Sequence, residues 1–143
     1  MNGNTHRIGI HRAVLELFGV VFVRFPPLQR IWAAWLVAVN SAALLFIGRV
    51  EAQVALGAVA VAVLAQALIY QRRRFVRILG TTHIVWVPML AWMALRLDTI
   101  PAGDAAFRAW IMLLIGTNAI SLAIDAWDAT RFALGDRYPY YVW

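Results

Sequence analysis

Apolar residues run along this chain in four long blocks, at about 31–48, 52–70, 77–97 and 106–127, separated by short polar breaks. Each block is close to the ~20 residues that a helix needs to cross the hydrocarbon of a bilayer. Within hydrocarbon every backbone N–H and C=O must be satisfied inside its own segment, so runs of this length predict helices. The breaks fit that reading. Arg49, Val50 and Glu51 alone separate the first two blocks, which predicts a tight antiparallel hairpin. Gln71, Arg72, Arg73 and Arg74 follow the second, and a turn with Pro101 and Gly103 follows the third.

The expected fold is therefore an all-α integral membrane protein, a four-transmembrane-helix bundle. An N-terminal segment (1–30) precedes the transmembrane domain (31–127), and an aromatic tail (128–143) follows it. Within the N-terminal segment, the apolar stretch 8–25 is interrupted by His11, Arg12, Glu16 and Arg24. It is too short and too charged to span, and Arg24-Phe25-Pro26-Pro27 is no small-residue cleavage site. That pattern predicts an interfacial amphipathic helix, ended by the proline pair. Docking of the same face on a protein partner fits the same pattern. The tail ends Tyr138-Pro139-Tyr140-Tyr141-Val142-Trp143, a sequence expected to tuck against the interface or another subunit.

Composition sharpens the membrane reading. The chain is 63% hydrophobic and 14% charged over 143 residues, and its mean hydropathy is +0.72. A soluble domain carries about 25% charged residues, and one this small has too little interior to hide so much apolar surface. A pI near 11.1 invites a nucleic-acid reading. The arginines, however, sit in blocks between apolar runs, so topology explains the charge and no nucleic acid is implied.

The arginines also orient the chain. Arg7, Arg12, Arg24, Arg30, Arg72, Arg73, Arg74, Arg77, Arg131 and Arg137 fall on one side, and only Arg49, Arg96 and Arg108 on the other. The richer side is expected to be cytoplasmic, which places both termini there and suits a bacterial inner membrane. Trp32, Trp35 and Trp127 would mark that interface, and Trp92 and Trp110 the far one. Arg72, Arg73, Arg74 and Arg77 are also placed to contact anionic lipid headgroups.

Candidate chemistry is confined to polar residues within the spans, where they are expensive. Each span carries one conspicuous case: Asn40, Gln66, His83 and Asn118. The fourth adds Thr117, Ser121, Asp125 and Asp128, which share an arc of roughly 100° with Asn118 at 100° per residue. Such a stripe must face protein or water. Gln66, His83 and Ser121 lie about 6–9 Å in from the cytoplasmic ends at 1.5 Å per residue. Asp125 is shallower, and Asn40 and Asn118 are near the midplane. One bundle could thus gather Gln66, His83, Ser121 and Asp125 in its cytoplasmic half, where a His–Asp pair can handle protons. The plainer role of interhelical hydrogen-bond glue is equally open to Asn40 and Gln66. Pro88 frees the carbonyl of Ile84 and is expected to kink its helix.

Other chemistries find no support. With no cysteine there is no thiolate site, no metal-ligand spacing is present, and only His83 of the three histidines lies in a span, against two for bis-histidine haem. No metal and no cofactor is implied. Three functions remain compatible with this sequence. The first is an oligomeric transporter or channel component built around His83 and the fourth helix. The second is a non-catalytic accessory subunit of a larger membrane complex, and the third is a lipid- or quinone-linked membrane enzyme. Only the first two make no demand for an enzyme, and the first uses the ionisable residues without one. The partners expected are the bilayer and either copies of the chain or foreign subunits.

Overall fold

A computed structural model of the chain describes residues 8–73 and 77–136, without the side chains of Arg72, Arg73, Arg77 and Ile78. Arg74 and the tail from 137 lie outside the described residues, as do the side chains of the other three arginines read as lipid contacts. All regular structure among the described residues is helical. Helix α1 (Ile10–Gly19) runs on into a π-helical turn (Val20–Arg24). Helix α2 (Pro27–Ser41) continues as a 3-10 stretch (Ala42–Phe46), and α3 (Val50–Arg73) returns after a three-residue link. A second 3-10 stretch (Arg77–Val85) leads straight into α4 (Trp86–Arg96), and α5 (Ala105–Ala133) completes the bundle.

Three helices are long and apolar enough to cross a membrane: Pro27–Phe46, Val50–Gln71 and Ala105–Ala133. The chain is an all-α membrane protein. Each of these helices overlaps a block predicted from the sequence. The predicted third span is helical throughout 77–96, but divided between two helix types. Pro88 contributes to the division at its α4 end. Pro88 has no N–H, so the carbonyl of Ile84 loses its α-helical donor, and Val87, three residues on, is the helical donor that remains. The helix type changes just before the proline.

Packing separates the interior into two apolar clusters. The larger fills the end of the bundle bearing the Arg49 hairpin, with Val39, Met93, Phe107, Trp110, Ile111 and Leu114 at its centre. Trp110 is buried there and donates from Nε1 to the carbonyl of Val39 at 3.0 Å. It therefore serves the core, not the interfacial belt expected from its position. The smaller cluster lies at the other end, where Ala13 and Leu17 of α1 meet Ala67, Tyr70 and Leu79. Helix α1 is thus docked on its own chain. Tyr70 donates to Glu16 Oε2 at 3.3 Å, and Gln71 Nε2 donates to the carbonyl of Ile8 at 2.6 Å. Leu15 and Val23 stay 71% exposed on its outward side, so an apolar surface remains for lipid.

Charges at the hairpin end are paired within the chain. Arg96 Nε donates to Glu51 Oε1 at 2.7 Å, and Arg49 pairs with Asp104. The same two guanidinium groups lie over Trp92 and Phe107, at 5.0 and 4.7 Å. Glu51 is buried, and as an acid in the first turn of α3 it also meets the positive end of the helix dipole. At the other end of the chain, α5 is closed by Gly135, whose φ of 99° suits the left-handed cap.

Candidate functional site

Three elements bring Gln66, His83 and Asp125 together. Gln66 comes from α3, His83 from the 3-10 stretch and Asp125 from α5. His83 Nδ1 lies 2.8 Å from Asp125 Oδ2, and its Nε2 lies 3.0 Å from Gln66 Nε2. An ionised carboxylate only accepts, so with Asp125 ionised Nδ1 carries the hydrogen. Nε2 is then a lone-pair acceptor for the Gln66 amide, and both ring nitrogens are used. The imidazole also stacks on Trp86, with ring centres 4.0 Å apart and planes 17° from parallel. Side-chain exposures of 14% for His83 and 16% for Asp125 leave each a narrow opening at the molecular surface.

Helix type explains why these groups meet. At three residues per turn, Gly80, His83 and Trp86 stand in line on one face of the Arg77–Val85 stretch and its junction with α4. Gly80 lets α5 approach: a Cβ there would lie 2.1 Å from Asp125 Oδ1. Leu79 and Thr82 occupy a different face and are buried, and Thr82 Oγ1 donates to the carbonyl of Leu79 at 2.9 Å. Gly80 and Trp86 stand three residues to either side of His83, a spacing that shares a face in either helix type, and neither is among the residues the sequence pattern singles out.

The polar stripe of α5 continues inward from Asp125. Ser121 is buried one turn along, followed by Asn118 and Thr117. Asn118 and Asn40 exchange two hydrogen bonds, Asn40 Nδ2 to Asn118 Oδ1 at 2.9 Å and the reverse at 3.1 Å. The second hydrogen of the Asn40 amide goes to the carbonyl of Leu36 at 2.9 Å, and Trp35 Nε1 donates to Thr117 Oγ1 at 3.2 Å. These bonds fasten α2 to α5. Beyond them the interior is apolar, filled by Leu114, Ile111, Trp110 and Phe107. Within one chain the polar stripe is therefore blind, running from the α1 end to the level of Asn118 and no farther.

Two other features lie outside this stripe. Among the described residues no three His, Asp or Glu side chains converge in a way that could hold a metal ion. A groove of about 480 Å³ between α3 and α4, with Gly57, Val61, Val85, Pro88 and Trp92 among its walls, is almost wholly apolar. Its walls include none of Gln66, His83 and Asp125. Comparison with protein-family models, curated proteins and solved structures gives no match, so any functional reading rests on this chain's own residues.

Proposed function

We propose that this protein is a four-span subunit of an oligomeric transporter or channel, in which His83, held between Gln66 and Asp125, binds or relays the translocated species. The observation that carries the reading is the unbroken hydrogen-bonded sequence Gln66–His83–Asp125 inside helices that face lipid. Ionisable groups at such depth are costly and mark pathways for ions, protons and solutes. Asn118 and Ser121 extend the polar surface inward from the pair.

The third segment is the fourth span. Nine residues at the 3-10 rise and eleven at the α rise give about 35 Å, enough for a hydrocarbon core of about 30 Å. Both termini are cytoplasmic, and the membrane is a bacterial inner membrane, on the asymmetry of the arginines. The blind end of the polar stripe supports a pathway completed between copies of the chain, because a single bundle offers no polar route through its apolar half.

The test is flux in reconstituted vesicles. His83→Ala and Asp125→Asn should each reduce proton or solute flux at least ~10-fold, the scale of losing about 1.4 kcal/mol at a required contact. Helical content and elution in detergent should stay unchanged. Flux equal to the unaltered protein in both variants, or no flux from the intact protein, would remove the reading. A second reading, an accessory subunit, is favoured by the exposed apolar side of α1. It predicts a foreign subunit in native mass spectra and silence of His83→Ala.

A further inference from the structure

The 3-10 stretch Arg77–Val85 is nine residues long. Such helices ordinarily stop after 3–4 residues, because their hydrogen bonds are poorer than α-helical ones and their side chains eclipse. A run of this length in a membrane span therefore has stabilising partners elsewhere in the fold. Three are present along the stretch. Gly80 lies against Asp125, His83 lies between Asp125 and Gln66, and the His83 ring lies on Trp86. Pro88 adds a fourth influence. By removing one α-type donor, it takes from the α form a hydrogen bond that an uninterrupted helix would gain.

We propose that Arg77–Val85 is a helical-register switch. Its 3-10 form is the one in which Gln66 and Asp125 hold His83, and relaxation to α-helix releases His83 from both. The geometry of release follows from the two helix types. Positions three apart coincide in a 3-10 helix and differ by about 60° in an α-helix. With α4 as the fixed end, His83 turns by about that angle relative to Trp86, leaving the stack and the Asp125 carboxylate. Nine residues also shorten by about 4–5 Å, the difference between rises of ~2.0 and ~1.5 Å per residue. Leu79, seven residues before Trp86, carries about 3.5 Å of that displacement to the cluster under α1, because it packs there with Leu17 and Tyr70. A solute that takes over either partner of His83 would thereby move both the site and the α1 end of the bundle. The switch supplies the moving part of the transport reading and in that respect rests on it. Its test reads helix geometry instead of flux, so either can fail while the other stands.

The 143-residue chain has no cysteine, which permits single spin labels in it. Labels at Leu79, Thr81, Thr82, Ile84 and Val85, in lipid nanodiscs, report exposure to oxygen at each position by electron paramagnetic resonance. In the unaltered background Leu79 and Thr82 should be shielded and Ile84 exposed, as they are in the structure. His83→Ala removes the held ring, and Pro88→Ala restores the α-type donor while leaving Gln66, His83 and Asp125 in place. In either background Leu79, seven residues before Trp86, should turn by about 140° at ~20° per residue and gain exposure, while Ile84 stays exposed. An exposed Leu79 in the unaltered protein would overturn the proposal. So would a Leu79 that stays shielded in both variants.

Discussion

Gly80→Ala is the substitution whose effect depends most directly on the approach of α5 to the 3-10 stretch. The added Cβ would meet Asp125 at 2.1 Å from Oδ1, 2.8 Å from Cγ and 3.2 Å from Cβ. The first two distances are too short to tolerate, so the carboxylate must swing away by about an ångström or more, on van der Waals grounds. That movement opens its 2.8 Å hydrogen bond to His83. Hydrogen bonds to charged groups contribute about 1.5–3 kcal/mol. Alanine offsets part of the loss, because it is better than glycine in a helix by about 0.5–1 kcal/mol. The net destabilisation expected is therefore about 1–2 kcal/mol. Asp125→Ala removes both oxygens and Cγ, leaving only the 3.2 Å Cβ contact, which a shift of a few tenths of an ångström relieves. In that background Gly80→Ala should fall within about 0.5 kcal/mol of neutral, well short of its cost beside the intact carboxylate. Reversible unfolding in mixed detergent micelles, followed by circular dichroism for all four proteins, measures the cycle. Equal effects of Gly80→Ala in the two backgrounds would refute the claim that Asp125 occupies the space beside Gly80.

The reciprocal Asn40–Asn118 pair is expected to behave as a unit. Either Asn→Ala change alone should cost about 1–2 kcal/mol by orphaning the partner amide, while Asn40→Leu with Asn118→Leu should fall within about 1 kcal/mol of the unaltered protein in the same unfolding assay. Single cysteines at Thr99 and Asp136 should label from opposite sides of sealed vesicles, with Asp136 on the cytoplasmic side; labelling of both from one side would break the four-span topology.

The parts of this fold legible from sequence are those that depend on long-range averages. Blocks of about twenty apolar residues marked the helices, because hydrocarbon leaves no other way to satisfy the backbone. Residue counting along the helices put Gln66, His83 and Ser121 at one level with Asp125 shallower, and the structure joins Gln66, His83 and Asp125 by hydrogen bonds. What escaped the sequence depends on local choices between nearly equal states. Thr81 and Thr82 are β-branched and Pro88 lacks a donor, yet these features lower the α form without specifying a 3-10 run. Gly80 and Trp86 lie three residues to either side of His83, but a glycine that admits α5 and a tryptophan under the ring carry no mark of their own in the pattern. Trp110 was read as an interfacial marker from its place near a helix end. Its indole instead found the Val39 carbonyl inside the core, a partner 71 residues away that its place along the helix does not reveal. The docking of α1 likewise depends on Glu16 meeting Tyr70 from 54 residues away, a pairing that no local pattern encodes.

The most direct test of this account is the state of the His83 ring in a bilayer. Nitrogen-15 solid-state spectra of the full chain, with His6 and His11 replaced so that one histidine remains, read both ring nitrogens separately. The account predicts a neutral ring with hydrogen on Nδ1, through-space contact from Nδ1 to the Asp125 carboxyl carbon, and contact from Nε2 to the Gln66 amide. Hydrogen on Nε2 in a neutral ring, with neither contact present, would contradict it.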